Sequence, residues 1–233
     1  MTPFDWYNNY IRTYLERDVR QIKNVADLTT FQKFLRLCAG RCGQRLNLSD
    51  LARDCGVSHQ TAKGWLSILE ASFIIFLLQP YHNNHTKKFV KTPKLYFYDT
   101  GLALALLQVE SEQQLATHFL RGNLFENLVI ADLIKQSFNV GRPHNCYFWG
   151  DDKGREIDCI LEHQSMLYPI EIKVSETVKG EYFQHLRYWC QRHDIPKEHA
   201  FLIYGGQDEE VRRDGMTLPW TRLSEFRQRI RIV

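Results

Sequence analysis

The chain has 233 residues, 44% of them hydrophobic and 24% charged, with a formal net charge of +3. That balance excludes a disordered or fibrous chain, leaves enough apolar material for two small cores, and tolerates a nucleic-acid partner without demanding one. The apolar runs at 73–78 and 102–107 are too short to cross a bilayer, and the opening MTPFDWYNNY is unlike a signal peptide, so a cytoplasmic protein is expected.

Residues 4–23 space Trp6, Tyr10, Ile11, Tyr14, Leu15 and Val19 as one face of an amphipathic helix. Nothing local covers that face, so residues 1–26 read as a connector helix. A helix over 28–39 follows, with Gly40 and Gly43 at its exit. Asn47 or Ser49 then caps a short helix ending at Cys55, Gly56 supplies a left-handed turn, and Ser58 caps a second helix to about Ser72. Helix, glycine turn and capped helix make a helix-turn-helix pattern, and Leu51, Ala52, Val57, Ala62, Leu66 and Leu69 fall where its helices would pack. The front of the second helix offers His59, Gln60, Thr61 and Lys63 to a nucleic-acid groove. Beyond the run 73–78, Lys87, Lys88, Lys91 and Lys94 precede a strand at 95–98, so a basic hairpin beside the helices completes the plan of a winged helix over 27–110. The six cysteines lie inside regular elements and read as reduced thiols; Cys38, Cys42, Cys55 and His59 carry the i, i+4 spacing of zinc ligands, but buried cysteines in small helical cores are commoner.

The polar stretch 109–115 marks a boundary, and 116–233 reads as a second, α/β domain. A helix over 118–137 carries Glu126 beside its apolar stripe, and 146–149 is a strand. Next come two alternating runs, 156–161 and 169–174, joined by a hairpin. Alternation sets Ile157, Cys159 and Leu161 against Glu156, Asp158 and Glu162, and Ile170, Ile172 and Val174 against Glu171 and Lys173. If the apolar faces share a core, Asp158, Glu171 and Lys173 converge on a polar face. Two carboxylates would bind a hard cation such as Mg2+ or Mn2+, and the ammonium would sit beside its bound water. A helix over 178–192 places Gln184 and Tyr188 on one side, a strand follows at 199–204, and a last strand and helix carry Arg222, Arg227, Arg229 and Arg231, which would suit a phosphate backbone.

Asp158, then Glu171-Ile172-Lys173 on an alternating strand, with Glu126 on an upstream helix, resembles the PD-(D/E)XK nuclease superfamily; Ile157 stands where the superfamily's proline would be. That resemblance implies a restriction-endonuclease-like α/β fold, a metal held by Glu126, Asp158 and Glu171, and Lys173 acting on the attacking water. Gln184 and Tyr188 resemble an additional motif of the helicase-associated exonuclease branch, which implies that they assist at the site. The segment 16–19 (ERDV), the helix-turn-helix, residues 89–103 and residues 122–129 together resemble the C-terminal region of prokaryotic AAA-type ATPases. No Gly-x4-Gly-Lys-Ser/Thr phosphate loop is present, so ATP hydrolysis does not carry over. Two functions follow as expectations: a metal-dependent, DNA-binding nuclease, or a catalytically silent module that docks DNA, an ATPase module or another protein partner.

Overall fold

The computed structural model describes residues 2–14, 27–81 and 92–230. The ERDV segment and Lys87, Lys88, Lys91 and Arg231 lie outside the described residues. The chain is mixed α/β and divides into two compact units, one formed by residues 1–77 and 94–124, the other by 78–93 and 125–233.

In the first unit, α1 (Pro3–Thr13) starts at a capping box between Thr2 and Asp5. It does not stand apart as a connector. Tyr7, Ile11 and Tyr14 pack into the unit's core, and the Tyr7 hydroxyl donates to Asp99 at 2.8 Å, the carboxylate that caps α5 (Thr100–Leu106). Trp6 and Tyr10 stack outward on each other. Helix α2 (Leu28–Ala39) is capped by Asp27; α3 (Leu48–Cys55) by Asn47, ending at Gly56 with φ +85°; and α4 (His59–Ala71) by Ser58. In each case the side chain accepts an otherwise orphaned N–H, worth about 1 kcal/mol. Trp65 of α4 meets Phe31 and Phe34 of α2 edge-on at 5.2 and 5.4 Å, fixing the helices around one apolar centre. A three-stranded sheet, β1 (Gln44–Arg45), β3 (Lys94–Phe97) and β2 (Ile75–Leu78) in spatial order, closes the unit. The boundary stretch carries a short helix, α6 (Glu112–Thr117).

Helix α4 ends on Phe73, which takes φ +55° where glycine is usual. The N–H groups of Phe73 and Ile74 return to the carbonyls of Glu70 and Leu69 at 3.1 and 3.0 Å, so the closing turn is satisfied while its central residue is strained.

The second unit is built on α7 (Arg121–Asn139), whose first residues belong to the other unit, and on a six-stranded sheet. The strands are β4 (Cys146–Gly150), β5 (Glu156–His163), β6 (Met166–Lys173), β7 (Phe201–Tyr204), β8 (Glu210–Arg212) and β9 (Gly215–Pro219), in the spatial order β4-β5-β6-β7-β9-β8. Strands β4, β5 and β6 are antiparallel neighbours; β6, β7 and β9 run parallel. Helix α8 (Gln184–His193) supplies the crossover from β6 to β7 and packs on β5 and β6; α9 (Leu223–Arg229) ends the described chain.

The expected polar face of the hairpin does not exist as a solvated surface. From Ile157 to Leu161 every residue of β5 is buried, as are Tyr168 to Ile172 of β6. The simple alternation also fails. Tyr147 and Trp149 of β4, two positions apart, pair with Ile160 and Ile157 of β5, three apart, so β5 bulges by one residue at Asp158–Cys159. Ile157 and Ile160 therefore both join the cluster of Phe183, Leu186 and Trp189, instead of facing opposite ways.

Candidate active site

The bulge re-aims Asp158. Below it the β5–β6 ladder runs in regular register, with Cys159 opposite Ile170, Ile160 opposite Pro169 and Leu161 opposite Tyr168. At the bulge the next backbone donor of β6, Ile172 N–H, goes to Asp158 Oδ2 at 2.8 Å. One carboxylate oxygen thus takes the place of a backbone acceptor, and the two strands separate where the acids meet.

Asp158 is 8% exposed and Glu171 5%. Lys173 Nζ lies 2.7 Å from Glu171 Oε1 and 3.6 Å from Asp158 Oδ2, so one ammonium spans both carboxylates. Glu171 Oε2 is buried and has no hydrogen-bond partner. Burial pushes the Glu171 carboxyl well above the usual carboxylate range, and Asp158 adds to the push; Lys173 opposes both. For Lys173 burial works against charge, but Asp158 and Glu171 together hold the ammonium above the usual lysine range. Glu126, half-buried on α7, acts electrostatically on Glu171, Lys173 and Cys159.

The donor chemistry suits a hard divalent cation: two nearly dry carboxylates, one with an oxygen that no protein group satisfies. Asp158 and Glu171 would hold such an ion. Among the described residues no group of three or more His, Cys, Asp or Glu side chains is gathered closely enough to hold a metal ion by itself. All six cysteines carry unbridged thiols and are buried. Cys159 lies against Cys146, whose hydrogen bond, with burial, drives its thiol well above the ordinary range.

The other expected residues have surroundings of their own. Gln184 is exposed at the first turn of α8, while Tyr188 sits 6.3 Å from the Trp149 ring and under the Arg155 guanidinium. Arg222 and Arg229 spend their charge on Glu209 and Glu225, so they form an ion network and not an open phosphate track. In the first unit, His59, Gln60 and Lys63 project from the start of α4; Thr61 is half-buried, with its hydroxyl 2.8 Å from Ser58 Oγ. Sequence reasoning missed Asp151 and Arg155, which tie together the turn entering β5. The Asp-x-x-Gly-Arg spelling of 151–155 was the available signal, since Asp followed by Gly within a few residues marks a turn.

Two family models match parts of the chain. "Domain of unknown function (DUF8612)" covers residues 1–113, and "Domain of unknown function (DUF4143)" covers residues 121–223. Similar curated proteins include Uncharacterized protein Mb2031c of Mycobacterium bovis and Uncharacterized protein Rv2008c of Mycobacterium tuberculosis, each 29% identical over 172 residues. The match takes in 74% of this chain and 38% of each relative, so the chain spans well under half the length of the curated proteins it resembles. No solved structure shows a significant match. Among the described residues no helix is long and apolar enough to cross a membrane.

Proposed function

We propose that the second unit is a metal-dependent phosphodiesterase of the PD-(D/E)XK type and that the first unit, read as a winged helix, presents it to DNA. The observation that carries this reading is the Asp158–Glu171–Lys173 cluster: two buried acids forced together by a strand bulge, one with an oxygen left unsatisfied. Burying like charges costs several kcal/mol, and a site that served stability alone would gain by replacing them with apolar residues. When bound, a divalent ion would supply a polarised water and neutralise charge on the phosphate. Asp158 and Glu171 would orient that ion. Lys173, held in its charged form, is suited to align the water and offset charge on the phosphate oxygens, not to accept a proton. Glu126 would shape the field around the group. In the first unit, two capped helices about Gly56 and neighbouring strands β2 and β3 support the winged-helix assignment, and His59, Gln60, Thr61 and Lys63 would meet bases; Lys87, Lys88 and Lys91, outside the described residues, would suit phosphates by their charge.

The test is incubation of the purified chain with plasmid, linear and branched DNA in Mg2+ or Mn2+, beside Asp158→Asn and Lys173→Ala. Cleavage by the wild-type chain, reduced at least 100-fold in both variants, is the expected result. A second reading has its own support: the chain offers no complete three-ligand metal group among the described residues and matches less than half of each longer relative. On that reading it is a silent DNA- or partner-binding module of an AAA-type ATPase. Intact DNA that is nevertheless retarded in a gel, with no divalent-ion binding by calorimetry, would favour it.

A further inference from the structure

The turn between β4 and β5 is closed more thoroughly than its length requires. Asp151 N–H donates to the Arg155 carbonyl at 3.0 Å. Asp151 Oδ1 accepts the N–H groups of Lys153 at 2.9 Å and Arg155 at 3.0 Å. Its other oxygen takes the Arg155 side chain, with Nε and one terminal nitrogen each at 2.7 Å. Gly154, at φ +79°, lets the chain double back between these contacts. From α8, the Tyr188 ring lies under the guanidinium, 3.6 Å from its carbon to the ring centre.

One face and one edge of the Arg155 guanidinium are thus fixed. The edge carrying Nη1 has no described partner, and the side chain keeps 28% exposure. A lysine or an apolar residue could also cover Tyr188. What arginine adds is a rigid fork whose free edge matches two oxygens of one phosphate. Because the fork is already held, little rotamer entropy is lost when a ligand arrives. Arg155 also stands immediately before β5, the strand that carries Asp158.

We infer that Arg155, held by Asp151 and Tyr188, is a preset phosphate clamp that positions a nucleic-acid strand beside the Asp158–Glu171–Lys173 cluster. This rests on the nucleic-acid reading above and assigns Arg155 as a positioning residue, which neither the acidic motif nor the helix-turn-helix predicts.

The experiment is fluorescence anisotropy of the full chain on short single-stranded and duplex oligonucleotides, without divalent ion so that no strand is cut, across a potassium chloride series. Arg155→Gln should weaken binding several-fold, alike for unrelated sequences, and lower the slope of log affinity against log salt by about 0.7 to 0.9. Arg155→Lys should keep the slope and lose part of the affinity, because charge remains and the fork does not. Arg187→Gln, which removes an arginine already committed to Asp214, should leave the slope unchanged. The clamp is overturned if Arg155→Gln binds like wild type, or if Arg187→Gln lowers the slope equally, which would make net charge the cause. Melting curves verify that each variant is folded. A wild-type chain that binds no oligonucleotide sinks the clamp and the functional reading together, whereas wild-type binding unaffected by Arg155→Gln sinks the clamp alone.

Discussion

The two units bury different chemistry. The first hides aromatic and aliphatic groups around Trp65 and leaves most of its charge outside, so its stability is a packing problem with a single solution. The second has an equally apolar cluster around Trp189 but sets two acids and an ammonium into the sheet beside it. A core held mainly by packing responds little to pH near neutrality. One that encloses Asp158, Glu171 and Lys173 carries a pH dependence and an unmet demand for positive charge, and that contrast is why the chemistry is sought in the second unit.

The contrast can be broken by substitution. The largest effect is expected from Trp65→Ala, which should cost about 3–5 kcal/mol in denaturant unfolding, by about the same amount at pH 5 and pH 8. Loss of the second unit's transition in the same variant, followed by separate probes, would show that the units do not store stability independently. Next is Glu171→Gln. The folded chain holds the Glu171 proton to higher pH than the unfolded chain does, so below the ordinary carboxylate range both states are protonated and the residue carries no penalty. As pH rises the unfolded state releases its proton first, and stability falls through the window up to the raised folded value. Glu171→Gln should therefore raise Tm by about 2–6 °C at pH 8 and leave it unchanged near pH 4. A gain of the same size at both pH values would remove the electrostatic half of the comparison.

Smaller effects sharpen it. Phe73→Gly in the first unit should stabilise by about 0.5–1 kcal/mol at every pH, because it relieves a left-handed backbone and removes an aromatic ring that is 66% exposed. Tyr7→Phe should lose about 1 kcal/mol by removing the hydrogen bond to Asp99. Burial, helped by that carboxylate, holds the Tyr7 phenol up at about 12, so ultraviolet titration should show one fewer late-ionising tyrosine in the variant than in the wild type.

What the sequence made legible was local. Asn47, Gly56 and Ser58 encode the start and stop of α3 and α4 through hydrogen bonds within a few residues, and the helix borders fall where those residues place them. The hairpin and the pairing of Glu171 with Lys173 were legible for the same reason. The bulge at Asp158 was not: an extra residue in one strand is visible only against its partner, and Ile157 to Leu161 is apolar enough to hide a break in alternation. Burial of both faces was hidden too, since alternation gave the hairpin a polar face, and nothing local shows that Asp158 and Glu171 on it are buried. Trp6 and Tyr10 were rightly suspect as exposed aromatics, but Tyr7 finds a partner about ninety residues on, a distance that periodicity cannot span. The short elements α6 and β8 carry too little pattern to announce themselves.

The hydrogen bond from Ile172 N–H to Asp158 has a consequence for anyone who sets out to silence this protein. An acid that serves as a backbone acceptor is part of the scaffold it decorates: it pins the register of β5 against β6 and sets the gap across which Glu171 faces it. Asp158→Ala would strip an acceptor from a buried N–H and let the strands settle together, blurring lost chemistry with lost shape. Asn at the same position keeps an oxygen for that N–H and removes only the charge. In this fold one of the two acids also holds the backbone of the strand that carries the other, so losing Asp158 would disturb Glu171 as well.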